Sequence, residues 1–169
     1  MKILKFGGTS VGSAERIKTV IGIIEDYYNK NQDISVVFSA FGGVTDQLIE
    51  ICGRAVNRED SYLGVFQNLR LRHLEVFDDL VQHQHKKEVQ LKINGLFERL
   101  GDVLKGLYLL KELTPRIQDI ILSYGERLSA LIISEALKSN KIDCEYLETT
   151  KIIKTDSSFG NAVVNTDLT

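Results

Sequence analysis

The sequence predicts an α/β fold: an open, mainly parallel sheet with a helical hairpin inserted beside it. Two short apolar runs, residues 2–6 and 34–39, each pass through a glycine pair into an amphipathic helix. Two βα units in succession imply parallel strands joined by right-handed crossovers. Between residues 62 and 111 the apolar positions follow helical periodicity in two long stripes instead. The chain has 169 residues, 43% hydrophobic and 26% charged, which allows a sizeable core within one domain or a large piece of one.

Lys2-Ile3-Leu4-Lys5-Phe6 reads as a buried strand. Ile17, Val20, Ile21, Ile24 and Tyr28 mark a helix from about Ser13 to Asn31, with Ser13 as N-cap and Glu15 in its first turn. The β-branched run 34–39 is the second strand, ending in Ala40-Phe41-Gly42-Gly43. The helix after it carries Val44, Leu48, Ile51, Cys52 and Ala55 on one side, with Asp46 as a first-turn residue favoured by the helix dipole. Tyr62, Phe66, Leu69, His73, Val76, Phe77 and Leu80 then trace one stripe, running to His85, and Ile93, Leu96, Phe97, Leu100, Val103, Leu104, Leu107 and Tyr108 a second. Together they predict an antiparallel hairpin over about 62–112. Thr114-Pro115 is an N-cap followed by proline at the first helical position. That helix is expected to run to Ser139 with an interruption near Ser123-Tyr124-Gly125, since an interior glycine costs roughly 1 kcal/mol against alanine. Residues 144–147 and 152–153 read as short strands, and residues 155–169 as a polar stretch without a closing element.

Composition excludes several functions. A net charge of −2 argues against general nucleic-acid binding, so any bound anion must be held by local groups. There is no run of 18 apolar residues and no signal-peptide core in residues 1–12, which predicts a cytoplasmic protein with no membrane role. Cys52 and Cys144 are too few for a disulfide scaffold and read as reduced. His83 and His85 face different sides of their predicted helix, and His73 reads as a satisfied core histidine, so no metal site is expected.

Three motifs carry chemistry. The first is Lys5-Phe6-Gly7-Gly8-Thr9-Ser10, a strand end, glycine turn and approach to a helix. Unpaired N–H groups there suit an anion, glycine permits close approach, and Lys5 adds a full charge. The same residues also suit an ordinary strand-to-helix turn. The P-loop pattern fails because Ser13 stands where its lysine should be, and the dinucleotide fingerprint fails because Thr9 replaces its second glycine. The second motif is Ser39-Ala40-Phe41-Gly42-Gly43-Val44-Thr45, and the third is Gly125-Glu126-Arg127. In a parallel sheet both glycine turns fall at the carboxyl ends of strands, where ligands sit, and are expected on one edge.

These three motifs, with Ser123-Tyr124 before and Ser129 after the third, resemble aspartokinases of the amino-acid kinase superfamily across essentially the whole chain. Residues 39–49 and the tail Ile152-Ile153-Lys154-Thr155-Asp156 through Phe159-Gly160-Asn161-Ala162 are most similar to the type fused to homoserine dehydrogenase. The resemblance implies a three-layer αβα fold and ATP-dependent phosphorylation of the L-aspartate side-chain carboxylate, with Mg2+, opening lysine, threonine and methionine biosynthesis. It implies Lys5 as the catalytic charge, Lys5 to Ser10 as the ATP phosphate site, and Ser39, Thr45 and Glu126 as aspartate contacts. Gly42, Gly43 and Arg127 are further candidates, although Arg127 also suits a structural ion pair. It also implies an N-terminal portion of a kinase domain, inactive alone and a homo-oligomer when complete. The adenine pocket, regulatory ACT domains and any dehydrogenase domain would lie elsewhere. Two rivals are another carboxylate or carbamate kinase of the superfamily and a non-catalytic ligand-binding or assembly domain.

Overall fold

The computed structural model describes residues 1–82 and 86–169; the expectation for His83 and His85 therefore lies outside the described residues. Strands β1 (Lys2–Phe6) and β2 (Ile34–Phe38) pair in parallel, joined by helix α1 (Ala14–Asn29). Helices α2 (Val44–Val56), α3 (Tyr62–Leu80), α4 (Lys86–Leu110) and α5 (Pro115–Ser139) follow, with a 3-10 turn at Thr149–Lys151. Ser13 caps α1, its hydroxyl accepting from the Arg16 N–H, and Thr114 caps α5 in the same way for Ile117.

Period-two alternation decides which sheet face is covered. Phe6, Ile34, Val36 and Phe38 pack on the core, with Leu4 half-buried on the same face, whereas Ile3 and Val37 are 68% and 48% exposed. Residues 2–6 are thus a strand with one covered face, not the buried strand expected from their apolar content. Tyr28 also departs from its expected stripe and is exposed, because α1 has passed the core by its last turn.

The hairpin forms as its two stripes require. Tyr62 meets Tyr108, Phe66 meets Phe97, and Arg70 donates to Asn94, so partners on α4 descend as those on α3 ascend and the helices are antiparallel. Both rest on α2 and α5. The core runs continuously from Ile17 and Val20 of α1 through Leu48 and Ile51 of α2 to Phe77, Phe97, Leu100 and Ile132.

Two expectations past the hairpin are corrected. Helix α5 is uninterrupted from Pro115 to Ser139; Gly125 sits within it because a Cβ there would lie 2.7 Å from the Ala40 Cβ. Glycine is required for close approach, not for a break. Residues 144–147 and 152–153 do not form strands, since among the described residues no neighbouring strand offers them a ladder. The tail is instead organised by an isolated antiparallel bridge, Thr155 to Val164, and by the Asp156 carboxylate, which accepts from the Ser158 and Val163 N–H groups. Cys52 is buried and free, and burial pushes its thiol up to about 11; Cys144 is free and half-buried, its thiol 3.4 Å from the Ser134 carbonyl.

Candidate functional site

Parallel register sets the site. Phe6 pairs with Phe38, so the carboxyl ends of β1 and β2 lie side by side, and the Ser39 N–H donates to the Phe6 carbonyl at 3.0 Å. Both segments leave the sheet along one edge. In the first turn the N–H groups of Ser10 and Val11 fold back onto the Gly7 carbonyl at 2.9 and 3.3 Å. The N–H groups of Gly8 and Thr9 have no hydrogen-bond acceptor among the described residues. A Cβ on Gly7 would meet nothing within 4 Å, so an approaching group has room there. Arg16 of α1 donates to the Thr9 carbonyl at 2.6 Å and shares the wall of an open cavity of about 340 Å³ with Phe6, Thr9 and Ser10.

The second turn is closed by the Val44 N–H on the Phe41 carbonyl at 2.9 Å. Gly43 caps α2 at φ 79°, left-handed backbone that favours glycine, and contributes no side-chain cap. The N–H groups of Thr45 and Asp46 in the first turn of α2 are therefore unpaired among the described residues, at the positive end of the helix dipole.

The two turns touch. A Cβ on Gly42 would stand 3.1 Å from the Gly8 carbonyl oxygen and 3.3 Å from the Gly12 Cα, and one on Gly8 would stand 3.2 Å from the Ala40 oxygen. The third motif joins them through α5: Gly125 lets the helix approach Ala40, and the next residue, Glu126, accepts from the Ala40 N–H at 3.4 Å. Glu126 remains exposed, so its other oxygen is open to a cation. The hydroxyls of Ser39 and Thr45 flank this corner, half-buried and exposed respectively.

Lys5 is exposed on the open sheet face, paired in register with Val37, and makes no ion pair among the described residues. Arg127 is engaged: it forms a 2.8 Å ion pair with Glu148 and lies 4.6 Å over the Tyr124 ring. Burial alone would raise the Glu148 carboxyl, but the Arg127 and Lys151 charges outweigh it and the net direction is down.

One residue of this corner escapes sequence reasoning. Arg72 of α3 donates through Nη2 to the Gly12 carbonyl at 3.1 Å and to the Gly42 carbonyl at 2.8 Å, bridging both turns. An arginine on a helix carries no sequence signal for such a role; only its position beside buried His73 could have hinted at it. His73 is a core histidine but only half satisfied. Nδ1 lies 2.7 Å from the Leu69 carbonyl, Nε2 has no partner, and the ring stacks on Phe41 at 5.0 Å. Burial depresses its pKa from the ordinary 6.5 to about 4. A base depressed on folding stabilises fully above 6.5, and that stability is lost as pH falls towards 4. The interval corresponds to about 3 kcal/mol. Denaturation midpoints measured from pH 7 to 4 should fall more steeply for the native protein than for His73→Leu; parallel curves would contradict this.

No group of three or more His, Cys, Asp or Glu side chains placed to hold a metal occurs among the described residues, and no helix is long and apolar enough to cross a membrane. The corner presents the N–H groups of Gly8, Thr9, Thr45 and Asp46, unpaired among the described residues, with the Glu126 and Asp46 carboxylates nearby.

Known proteins are similar to this chain in sequence and in fold. Bifunctional aspartokinase/homoserine dehydrogenase 1, chloroplastic, of Arabidopsis thaliana is 27% identical over 159 residues, covering 94% of this chain and 17% of the relative. Escherichia coli aspartokinase III in complex with lysine and aspartate superposes with a TM-score of 0.82 at 22% identity, over 98% of this chain and 35% of that one. The same enzyme in complex with aspartate and ADP superposes with a TM-score of 0.78 over the same shares. The chain thus spans about a sixth of the length of the curated relative. The sequence profile of the amino acid kinase family matches residues 1–168, covering both glycine turns, the hairpin and the Glu126 helix. With the fold and the profile in agreement from end to end, the chain belongs to the amino acid kinase family.

Proposed function

We propose that the protein carrying this chain is an aspartate kinase, transferring the γ-phosphoryl of ATP to the side-chain carboxylate of L-aspartate to give 4-phospho-L-aspartate and ADP. The observation that carries this reading is the backbone contact of the two glycine turns, Gly42 against Gly8 and Gly12, with Glu126 bonded at the same corner. Two anions must meet for this reaction, and the nucleophile is already ionised near neutral pH. Catalysis therefore rests on bringing them together and spreading charge on the transferring group. Lys5 and the N–H groups of Gly8 and Thr9 are suited to hold phosphate oxygens. The open carboxylate oxygen of Glu126 is suited to the substrate ammonium, while Thr45, Ser39 and the N–H groups opening α2 are suited to its carboxylates.

Bound aspartate and ADP in E. coli aspartokinase III support both substrates. Mg2+ enters this proposal as part of the nucleotide substrate, bound to the phosphates of ATP. On this reading residues 1–169 supply the phosphate turn and most of the aspartate site of a longer kinase domain, and the adenine pocket is formed by other residues of the protein. We further propose that the product feeds lysine, threonine and methionine synthesis, that the complete enzyme is a fused, homo-oligomeric protein, and that it is cytoplasmic.

Glu126→Ala in the full-length protein tests the assignment. Losing a charge-assisted contact to the ammonium is worth about 1.5–3 kcal/mol, so KM for aspartate should rise about 10–100-fold while KM for ATP stays within about threefold. Equal rises in both would make Glu126 a structural residue.

A further inference from the structure

We propose that Arg72 is a positioning residue, which from the helical hairpin holds the phosphate turn and the aspartate turn at one fixed separation. The inference deepens the reading above and rests on it. The Gly12 and Gly42 carbonyls belong to different turns, yet both point at the same guanidinium nitrogen, at 3.1 and 2.8 Å. Without a donor between them, two partly negative oxygens converge in a half-buried corner and are left unpaired, which is costly for buried carbonyls. The turns part to let water in.

The hairpin reinforces this hold one residue further on. The His73 ring stacks on Phe41, which immediately precedes Gly42, and meets Phe97 of α4 edge-on at 5.5 Å. Phe41 is therefore fixed by an aromatic contact and Gly42 by a cationic one, both from a single turn of α3. Arg72 is bound to backbone carbonyls of the two turns, behind the N–H groups proposed to face the ligands, so its role is exercised through the turns. In-line transfer is sensitive to this separation, because a misplacement of about 1 Å can cost about 10²-fold in rate.

The test compares Arg72→Met, which keeps volume and removes every donor, with Arg72→Lys, which keeps the charge and can form part of the bridge, in the full-length protein. For Arg72→Met, kcat should fall about 10²-fold while KM for ATP and for aspartate each change less than about threefold, since each turn still binds its own ligand. Arg72→Lys, which restores only part of the bridge, should recover about tenfold of that loss and stay about tenfold below the native protein. Hydrogen exchange supplies a readout independent of the reaction: peptides covering residues 7–13 and 39–46 should both exchange about tenfold faster in Arg72→Met and be slowed again in Arg72→Lys. An unchanged kcat, a parallel rise in both KM values at constant kcat, or faster exchange in one turn only would overturn the inference. Absence of aspartate phosphorylation by the native protein would remove the proposed function, and exchange in the two turns would still decide whether Arg72 joins them. Should Arg72→Met fail to fold, the same exchange and kinetic comparison is made between Arg72→Lys and the native protein, and no change in either overturns the inference.

Discussion

Lys5→Ala in the full-length protein is expected to lower kcat for aspartate phosphorylation by about 10²–10³, the usual loss when one preorganised charge donor is removed. Charge accumulates on phosphoryl oxygens as the bond to ADP loosens, and a fixed ammonium stabilises that state more than the ground state. Lys5 is placed for this role because it is exposed, makes no ion pair among the described residues, and lies two residues before the glycine pair on a strand held in register with β2. Stability should be almost unchanged, because an exposed lysine without an ion-pair partner contributes little to the fold. Steady-state kinetics and a melting curve on one preparation check both parts. A mutant within a few-fold of native kcat would remove Lys5 from the mechanism, and a large loss of melting temperature would make any kinetic loss uninterpretable as chemistry.

Gly125→Ala is expected to damage both fold and site. The new Cβ would stand 2.7 Å from the Ala40 Cβ, with Val44 Cγ1 at 3.4 Å and Leu48 Cδ1 at 3.5 Å closing the remaining space. Overpacking of this kind costs about 1–3 kcal/mol, and alanine returns only about 1 kcal/mol through its better helix propensity. The net loss should be up to about 2 kcal/mol. It falls on Ala40, whose N–H is the donor to Glu126, so KM for aspartate should rise with the loss of stability. The double variant Gly125→Ala with Ala40→Gly removes the colliding methyl and should recover at least half the melting temperature. A single variant as stable as the native protein would show that α5 can step back from the second turn without consequence.

The two βα units and the hairpin are legible in the sequence because their signals are local. Period-3.6 stripes such as Tyr62-Phe66-Leu69-His73-Phe77 and caps such as Thr114 ahead of Pro115 need no knowledge of partners, and each lies where the pattern puts it. The parallel pairing follows from chain order, and it brings the glycine turns together as expected. What fails depends on neighbours. Residues 144–147 have strand-like composition but, among the described residues, no strand beside them, and Ile3 is apolar yet open to solvent. Gly125 misleads because local propensity sees a weak helix former, whereas the structure requires the absence of a Cβ where α5 meets the second turn. Arg72 is invisible for the same reason: its two carbonyl partners lie 60 and 30 positions away in the chain. The unsatisfied Nε2 of His73 is likewise a property of its surroundings, not of its place on the stripe.

A structure of the full-length protein with an unreactive ATP analogue and L-aspartate bound together tests the central claim most directly. Phosphate oxygens are expected within about 3 Å of the Lys5 Nζ and the Gly8 N–H, with the aspartate ammonium on Glu126 and its side-chain carboxylate facing the terminal phosphate. Either ligand lodged away from the shared rim of the two glycine turns, or a triphosphate bound with Lys5 turned into solvent, would contradict it.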